Sequence, residues 1–388
     1  ALQGRGLECE FGFEPINFNT GNFLMETKDS NIKVNGHDAI FGRTYNSTNS
    51  DYLGIFGYGW SHSADYRVST NKDQSTAIIY LPNGRQYVFE KQSDGSYKNE
   101  LNATISLRNE SGKFVLETTS ETVTFNKMGT IETLVSNDNE VTSFYYYNSL
   151  LSSIELANGK KYSLNYNAYN LVSSVTLPDG NHILYLYDEA LNLISFTDQE
   201  AKTVRYEYDS EHNMTAWYNR TGDLVVENSY DSQHRVSKQV DGLGNTFLLS
   251  YEVSQTVVTD GEGNEETITF DAYKQTKEHY YGSDLGKRKE FEKGLLVREV
   301  LENGMEYRHT YQEGYVIKTE RSDGYVIEYE YDSDDNLTAW YDNKGQQESY
   351  TYDGRGNLTS VEDVLGNVTQ YAYNHKNLNP PSIMWGPH

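Results

Sequence analysis

An aromatic residue recurs about every 21 residues between positions 125 and 373, and this period limits the fold of the chain more than any other feature. The recurring positions are Phe125, Tyr147, Tyr166, Tyr187, Tyr208, Tyr230, Tyr251, Phe270, Phe291, Tyr311, Tyr331, Tyr352 and Tyr373. A fixed period of roughly 20–50 residues is typical of tandem structural repeats. The sequence therefore predicts one small unit that is copied along the chain.

Two turns are predicted in each unit. The residue after the aromatic is usually Asp or Asn, whose side chain accepts hydrogen bonds from backbone N–H groups about two residues on. These positions are Asn126, Asn148, Asn167, Asp188, Asp209, Asp231, Asp271, Asp332, Asp353 and Asn374. Glu252, Glu292 and Gln312 replace them elsewhere, and there we expect looser hairpins. Glycine marks the second turn at Gly180, Gly222, Gly244, Gly263, Gly304, Gly324, Gly345 and Gly366.

The length of the unit sets the fold class. About 21 residues hold two strands of roughly six to eight residues and two turns, so consecutive hairpins are expected to pair side by side. Roughly 24 strands result, and open sheets rarely exceed ~10 strands without curling, because twist accumulates. We therefore predict an all-β fold in which tandem hairpins form one long antiparallel sheet that curls into an open spiral shell. The 34 tyrosines, 31 glycines and 6 prolines agree with such a chain.

Four regions are predicted along the chain. Residues 1–70 do not repeat and are expected to form a leader or cap domain of short strands and glycine turns on the first hairpins. Residues 71–124 are expected to be degenerate hairpins, because Asn-Gly and Asp-Gly turns separate alternating apolar stretches. Residues 125–374 form the regular array. Residues 375–388 break the pattern with two consecutive prolines, and we expect either a flexible end or a plug.

The composition excludes several classes of partner. With 57 acidic against 32 basic residues the formal net charge is −25, which repels phosphate backbones and argues against nucleic acid. The charge keeps a sheet-rich protein soluble or, alternatively, attracts a cationic partner. Cys9 is the only cysteine, so no intrachain disulfide is possible. No apolar run approaches the ~18–20 residues of a membrane span, and we interpret the chain as a fragment of a larger protein.

Two sequence patterns resemble a known family. The YD-x-x-x-x-L spacing at 187–193, 331–337 and 352–358 resembles the YD repeats of the Rhs family. The stretches PINFNTGNF (15–23), FGRTYNS (41–47) and GYGWSHSADYRV (57–68) are similar to the domain that commonly precedes those repeats in bacterial Rhs and wall-associated proteins. Together the two patterns cover residues 15–374.

The resemblance implies a hollow β-shell that encloses a variable, often toxic, C-terminal domain of a secreted or cell-surface bacterial polymorphic toxin. Family members often end in a core whose aspartates cut the passenger free. This sequence contains no Asp-Pro-x-Gly stretch, so shell wall and leader are expected here, without passenger or self-cleavage.

Candidate chemical sites are weak. Ser61 lies in GYGWSHS, which lacks the closing glycine of a nucleophile elbow, so we expect a turn rather than a nucleophile. His212 and His234 occupy equivalent turn positions, yet two imidazoles are too few for a typical metal site. Asp332 begins a calcium-loop-like run without the required glycine, which predicts an Asx-rich turn. We therefore predict no catalytic residue, no cofactor and no metal ligand.

Trp217 and Trp340 occur in two copies of the sequence TAWY, in the same phase of the repeat. Tryptophan rings that face solvent stack on sugars, whereas strand aromatics more often fill the apolar face of a sheet. The two tryptophans are candidate glycan-stacking residues.

Two functions from different classes follow. The first is a non-enzymatic scaffold, the N-terminal part of an Rhs-type shell that encapsulates a C-terminal effector of the same parent chain. The alternative is an extracellular structural or adhesive protein that binds cell-surface carbohydrate or copies of itself through its sheet edges. An enzyme is the least favoured class.

Overall fold

The computed structural model describes residues 11–12, 15–34, 37–100, 104–292, 294–354 and 356–371. Cys9, Asn374 and the tail 375–388 lie outside the described residues, so the predictions made for them stay predictions. The one helical element in the described chain is a 3₁₀ turn at Ser47–Asn49. Within these ranges, no helix has the length and apolar character needed to cross a membrane.

Short strands make up the leader. They are β1 Phe11–Gly12, β2 Ile16–Asn17, β3 Asn22–Val34, β4 His37–Asn46, β5 Leu53–Gly54, β6 Gly57–Tyr58 and β7 Trp60–His62. Five of them form a sheet in the order β1-β2-β3-β4-β7, and β5 pairs with β6. Antiparallel pairing of β4 with β7 sets Arg43 opposite His62 and Tyr45 opposite Trp60.

The remaining strands are hairpin strands. The first of them are β8 Arg67–Thr70, β9 Thr76–Tyr80, β10 Gln86–Lys91, β11 Tyr97–Lys98, β12 Ser106–Glu110, β13 Lys113–Glu117, β14 Glu121–Phe125, β15 Ile131–Ser136, β16 Val141–Tyr147, β17 Leu150–Glu155, β18 Lys161–Tyr166, β19 Val172–Thr176, β20 His182–Tyr187, β21 Leu193–Thr197, β22 Thr203–Tyr208 and β23 Met214–Tyr218. They continue as β24 Leu224–Tyr230, β25 Val236–Asp241, β26 Thr246–Tyr251, β27 Gln255–Thr259, β28 Glu265–Phe270, β29 Thr276–Tyr281, β30 Asp284–Glu292, β31 Leu295–Val300, β32 Glu306–Gln312, β33 Tyr315–Arg321, β34 Val326–Tyr331, β35 Leu337–Asp342, β36 Gln347–Tyr352, β37 Leu358–Asp363 and β38 Val368–Gln370.

Strands β8 to β38 form one antiparallel sheet of 31 strands in sequence order. The all-β class and the tandem-hairpin architecture predicted from the sequence are confirmed. Side chains alternate between the two faces, as in β18 and β20, where every second residue is buried.

The chain divides into two compact units. The first unit comprises the described parts of Ala1–Ile32, Ala39–Asn99 and Ile105–Gly286. The second unit comprises the described parts of Lys33–Asp38, Glu100–Thr104 and Lys287–His388. The first therefore holds most of the leader together with β8 to β29.

In seven of the described hairpins the anchoring tyrosine ties the hairpin to the one before it. The hydroxyl of Tyr187 donates to the carbonyl of Val172, 15 residues earlier, at 2.7 Å. The same bond over the same separation is made by Tyr166, Tyr208, Tyr251, Tyr311, Tyr331 and Tyr352. In most of these hairpins the strand register shifts just before the anchor, as between Leu186 and Tyr187. The repeat length thus has a physical basis, because one side chain spans consecutive units.

Asx turns follow the anchors, as predicted. The Oδ1 atom of Asp209 accepts hydrogen bonds from the backbone N–H of Glu211 and Asn213, both at 2.9 Å, and the Asn213 amide donates back to the carboxylate. Asp332 makes the same turn, so the calcium-like run is explained by backbone capping. The second turn uses the same chemistry at Asp241, Asp260, Asp342 and Asp363. Donation by the asparagine amide and then by backbone N–H groups lowers the pKa of Asp260, Asp332 and Asp363.

All eight predicted second-turn glycines adopt positive φ, from +75° at Gly366 to +90° at Gly180. This left-handed conformation is the one that glycine adopts without steric cost.

Three of the turn predictions are wrong. Asn148 does not cap a turn, because Asn148 and Ser149 form a two-residue turn with φ of +48° and +66° between the paired Tyr147 and Leu150. The hairpin at Gln312 is tighter rather than looser: Gln312 pairs with Tyr315 across Glu313 and Gly314, which both have positive φ. Glu292 likewise pairs with Leu295. Two-residue turns with positive φ match the twist of the flanking strands and need no Asx cap.

Replacing Tyr187 by phenylalanine removes the hydroxyl that bonds the Val172 carbonyl and leaves the ring in place. We expect the free energy of unfolding to fall by about 1 kcal/mol, measured by urea denaturation of the whole chain. Tyr169→Phe is the matched control, because Tyr169 is 71% exposed and its hydroxyl makes no hydrogen bond within the described residues. Equal losses in the two variants would contradict the coupling between hairpins.

Candidate functional site

The leader packs on one face of the sheet inside the first unit, ring against ring. Phe41 stacks on Tyr162 at 5.5 Å between ring centroids, and Phe56 meets Tyr185 edge-on at 4.9 Å. Trp60 lies 5.3 Å from Tyr206. Because alternate residues of each hairpin strand point to this face, a row of aromatic side chains becomes one continuous surface for the leader.

A buried ion pair lies at the centre of this contact. The Nε and Nη2 atoms of Arg43 donate to the carboxylate of Asp29, the second bond at 2.9 Å, and the two side chains are 0% and 1% exposed. The Tyr185 hydroxyl of the sheet donates to the same carboxylate at 2.8 Å. Both charges come from the leader, whereas a repeat supplies the third partner.

Aromatic rings surround the Arg43 guanidinium. Its carbon lies 4.5 Å from the Trp60 ring centroid, 5.1 Å from Phe196 and 5.2 Å from Tyr185. Burial by itself lowers the pKa of Arg43, but the Asp29 carboxylate, together with Tyr206 and Tyr185, outweighs this effect, and the net pKa lies well above the ordinary value. The guanidinium is therefore charged and held by cation–π contacts and one carboxylate.

The leader also bonds to a row of hairpin turns. The acceptors are backbone carbonyls next to or at the left-handed turn residue, and the bonds are Tyr58 N to Leu191, Ser50 Oγ to Glu211, Tyr45 OH to His212, Ser47 Oγ to His234 and Asn19 Nδ2 to Lys274, at 2.8–3.4 Å. Gly57 packs so closely that a Cβ atom there would lie 2.6 Å from the Leu191 carbonyl oxygen. These contacts fix the leader along successive repeats.

The position of the leader differs from the sequence-based expectation of a cap on the first hairpins. Contacts with the first hairpin exist, since Ser61 Oγ donates to the Pro82 carbonyl at 2.6 Å and Asn46 reaches the Asn83 carbonyl. The extensive contacts, however, are with hairpins between residues 162 and 276. Repeats present nearly the same pattern many times, so the sequence does not reveal which copies the leader occupies. The boundary at residue 70 stays a prediction.

His212 and His234 belong to this row of turns. Nδ1 of His212 lies 2.7 Å from Oδ1 of Asn192, and Nδ1 of His234 lies 2.9 Å from Oδ1 of Asn213, so each histidine bonds the asparagine of the preceding turn. His212 also stacks on Tyr58 at 3.7 Å. No group of three or more potential metal-ligating side chains occurs in the part of the chain that the structure describes. The Ser61 hydroxyl is bonded to two backbone carbonyls rather than to a base.

Trp217 and Trp340 occupy matching places in the two units. Trp217 pairs across strands with Tyr206, and Trp340 pairs with Tyr329. Both tryptophans are half-buried. The indole N–H of Trp340 donates to the Tyr350 hydroxyl at 3.0 Å and to a Glu348 carboxylate oxygen at 3.2 Å, whereas that of Trp217 is buried without a partner among the described residues. Glycan stacking by either ring stays a prediction.

The second unit has a sheet face with little cover. Among the described residues from 287 to 371, the buried apolar side chains are Tyr350 and Leu358 alone. The other aromatic side chains on this face are half-buried, namely Tyr307, Tyr311, Tyr325, Tyr329, Tyr331, Trp340 and Tyr352. The sequence does not predict this difference between the units, although the tyrosines two residues before an anchor, such as Tyr329, mark the face.

Comparisons with known proteins agree with the sequence patterns. The model of a domain of unknown function, DUF6531, matches residues 13–89, and the RHS Repeat model matches residues 331–367 and 352–378. The chain is 31% identical over 134 residues to the tRNA nuclease WapA of Bacillus subtilis (strain 168) and, equally, to the tRNA3(Ser)-specific nuclease WapA of Bacillus spizizenii. The match covers 34% of this chain and 6% of each relative, so the chain spans a small part of those proteins.

Similar solved structures include TcdB2-TccC3 without its hypervariable C-terminal region, with a TM-score of 0.42 and 12% identity over 91% of this chain and 27% of that one. The Photorhabdus luminescens Tc holotoxin pore has a TM-score of 0.37, also at 12% identity, over 88% of this chain and 26% of that one.

Replacing Arg43 by alanine leaves Asp29 as an uncompensated buried charge. We expect the leader to detach from the sheet. The free energy of unfolding, measured by urea denaturation, is expected to fall by about 3–5 kcal/mol, and residues 15–62 are expected to be cut faster by a protease. The control is Lys202→Ala, which breaks an exposed ion pair with Glu200 and is expected to cost no more than about 1 kcal/mol. The central role of the buried pair is refuted if the two variants are equally stable.

Proposed function

Because this chain is an Rhs/YD-repeat protein, we propose that it is a non-enzymatic scaffold, the N-terminal part of an Rhs-type β-shell. In this proposal the hairpin array curls into an open spiral wall, and the wall encloses a C-terminal effector, a toxin, of a longer parent chain. The leader belongs to the wall, because it is bonded to successive repeats of the first unit.

The observation that carries the proposal is the aromatic face of the second unit. Its tyrosines are half-buried, so each ring keeps apolar surface that a bound polypeptide would remove from water. Tyrosine also offers a hydroxyl, and a face of this kind suits polypeptide segments of many sequences. In the first unit the leader itself covers the corresponding row of rings.

The non-enzymatic part of the proposal rests on how the polar candidates are used. Ser61 bonds backbone carbonyls, His212 and His234 bond asparagines of neighbouring turns, and the turn aspartates cap backbone N–H groups. All of these bonds stabilise the wall. Nuclease activity is part of the relatives' names, but the match to this chain covers only 6% of each relative.

The proposed location is the bacterial exterior, either secreted or at the cell surface. A net charge of −25 favours solubility of a long sheet and argues against nucleic acid as the partner of the wall itself. Binding of cell-surface carbohydrate through Trp217 or Trp340, or self-assembly through sheet edges, remains the alternative proposal.

The test uses the complete reading frame that contains residues 1–388. We expect it to encode an effector segment after the repeats, and we expect a protease to cut that segment at least tenfold more slowly in the intact protein than after the wall is unfolded with urea. A reading frame without such a segment, or equal cleavage rates in the two states, would overturn the proposal. Cleavage of the isolated effector in the same urea concentration is the control for effects on the protease.

A further inference from the structure

The two units contain nearly the same sequence around their tryptophans. YEYDSEHNMTAWY at 206–218 corresponds to YEYDSDDNLTAWY at 329–341. The strand register is also the same, since Tyr206 pairs with Trp217 and Tyr329 pairs with Trp340. Two equivalent aromatic surfaces are therefore available for comparison, each within its own unit.

In the first unit this surface receives an arginine. The Tyr206 hydroxyl lies 3.5 Å from Nη2 of Arg43, and the neighbouring Tyr185 hydroxyl orients the Asp29 carboxylate that pairs with the same guanidinium. The acid is supplied by the leader, because the sheet has an apolar residue, Val226, opposite Trp217. The arrangement is a guanidinium over aromatic rings with a carboxylate held by a tyrosine hydroxyl.

In the second unit the sheet supplies the acid itself. Glu348 stands opposite Trp340, at the place that Val226 takes beside Trp217. The Tyr350 hydroxyl donates to Glu348 Oε2 at 2.7 Å, and the Trp340 indole N–H donates to the same oxygen at 3.2 Å. The carboxylate is thus fixed beside half-buried rings. No Lys or Arg nitrogen among the described residues lies within ion-pair distance of it.

Two cationic side chains of the second unit already contact an aromatic ring on the same face. The Arg321 guanidinium carbon and the Lys344 Nζ each lie 4.8 Å from the Tyr325 ring centroid, and the Tyr325 hydroxyl donates to Asp342. A tyrosine that donates to a carboxylate and also contacts a cation therefore occurs twice on the sheet, at Tyr185 and at Tyr325. At Glu348 the tyrosine and the carboxylate are present, and a partner has to supply the cation.

We propose that Trp340, Tyr329, Tyr350 and Glu348 form a docking site for an arginine side chain of the enclosed effector. Guanidinium is favoured over ammonium because it is planar, stacks on an indole and bonds a carboxylate through two N–H groups, as Arg43 does with Asp29. The negative charge of the chain attracts a basic segment to this face. The source of the arginine rests on the proposed function, whereas the site itself does not.

The test uses the whole chain labelled with 5-fluorotryptophan, so that each of its four tryptophans gives a separate fluorine resonance. The probe is a short Gly/Ser peptide with one central arginine, titrated at about 0.15 M salt, where long-range attraction is screened. We expect the Trp340 resonance to shift on titration and the Trp217 resonance to stay. The same peptide with citrulline, which is neutral, is expected to shift neither.

Glu348→Gln is expected to weaken the peptide at least tenfold, and Tyr350→Phe to weaken it at least threefold without removing a charge. The matched control is Glu328→Gln, which makes the same charge change on the opposite side of the sheet, because Glu328 adjoins Tyr329 in β34. It is expected to keep the affinity within twofold. Equal effects of E348Q and E328Q, or no shift of Trp340, would overturn the site.

Other occupants give different outcomes. A Trp340 shift with chitotriose but not with the arginine peptide would favour the glycan interpretation and overturn this one. A shift that depends on protein concentration alone would assign the face to a second copy of the chain.

In the longer parent protein, the Trp340 resonance is expected at its peptide-saturated position. If the 388-residue chain binds the peptide while the Trp340 resonance of the parent protein stays at the position that it has without peptide, the effector is refuted as the source of the arginine. That result is distinct from failure of the proposed function, which is measured by effector cleavage.

Discussion

One hydrogen bond, from the hydroxyl of an anchoring tyrosine to a carbonyl 15 residues earlier, organises the array. It joins the end of the first strand of one hairpin to the start of the second strand of the preceding hairpin, so the hairpins that make this bond are coupled to their predecessors. Each bond contributes about 1 kcal/mol, which is little by itself, but the same bond recurs along the array. Repeat proteins gain their stability from such nearest-neighbour terms. The aspartate next to the tyrosine then satisfies the turn, and the tyrosine–aspartate pair becomes the signature of the sequence.

The leader docks on these regularly spaced hairpins. Its hydroxyl and amide groups donate to turn carbonyls that several successive units present, and these bonds alone would suit more than one position. The ion pair of Arg43 and Asp29 is more selective, because it needs the hydroxyls of Tyr185 and Tyr206 in consecutive units. A buried ion pair adds little net stability compared with an apolar contact, and its best-attested role is to fix register. The buried pair accounts for the docking of the leader at these hairpins.

Local features of the fold were predictable from the sequence, and non-local ones were not. The anchors, the Asx caps and the turn glycines depend on neighbouring residues, so the period and the residue types predicted them. The prediction of a cap at Asn148 is wrong because an asparagine serves equally well as a cap and as a positive-φ turn residue. The position at which the leader docks depends on contacts between residues about 120 to 260 positions apart in the sequence, such as Asn19 with Thr276. In the sequence the aromatic face is marked in both units by TAWY and by a tyrosine two residues before the anchor. The burial of these side chains, which differs between the units, is not visible in the sequence.

The central proposal is that the aromatic face of the sheet, which the leader covers in the first unit, binds a partner in the second unit, where its described aromatic side chains are mostly half-buried. Hydrogen–deuterium exchange of the whole chain, followed by mass spectrometry, tests it most directly, because local opening depends on buried apolar contacts. Amides of β20 and β22, whose strands carry the buried Tyr185 and Tyr206, are expected to exchange at least tenfold more slowly than those of β32 and β34. Equal protection of the two regions, or slower exchange in β32 and β34, would contradict the proposal.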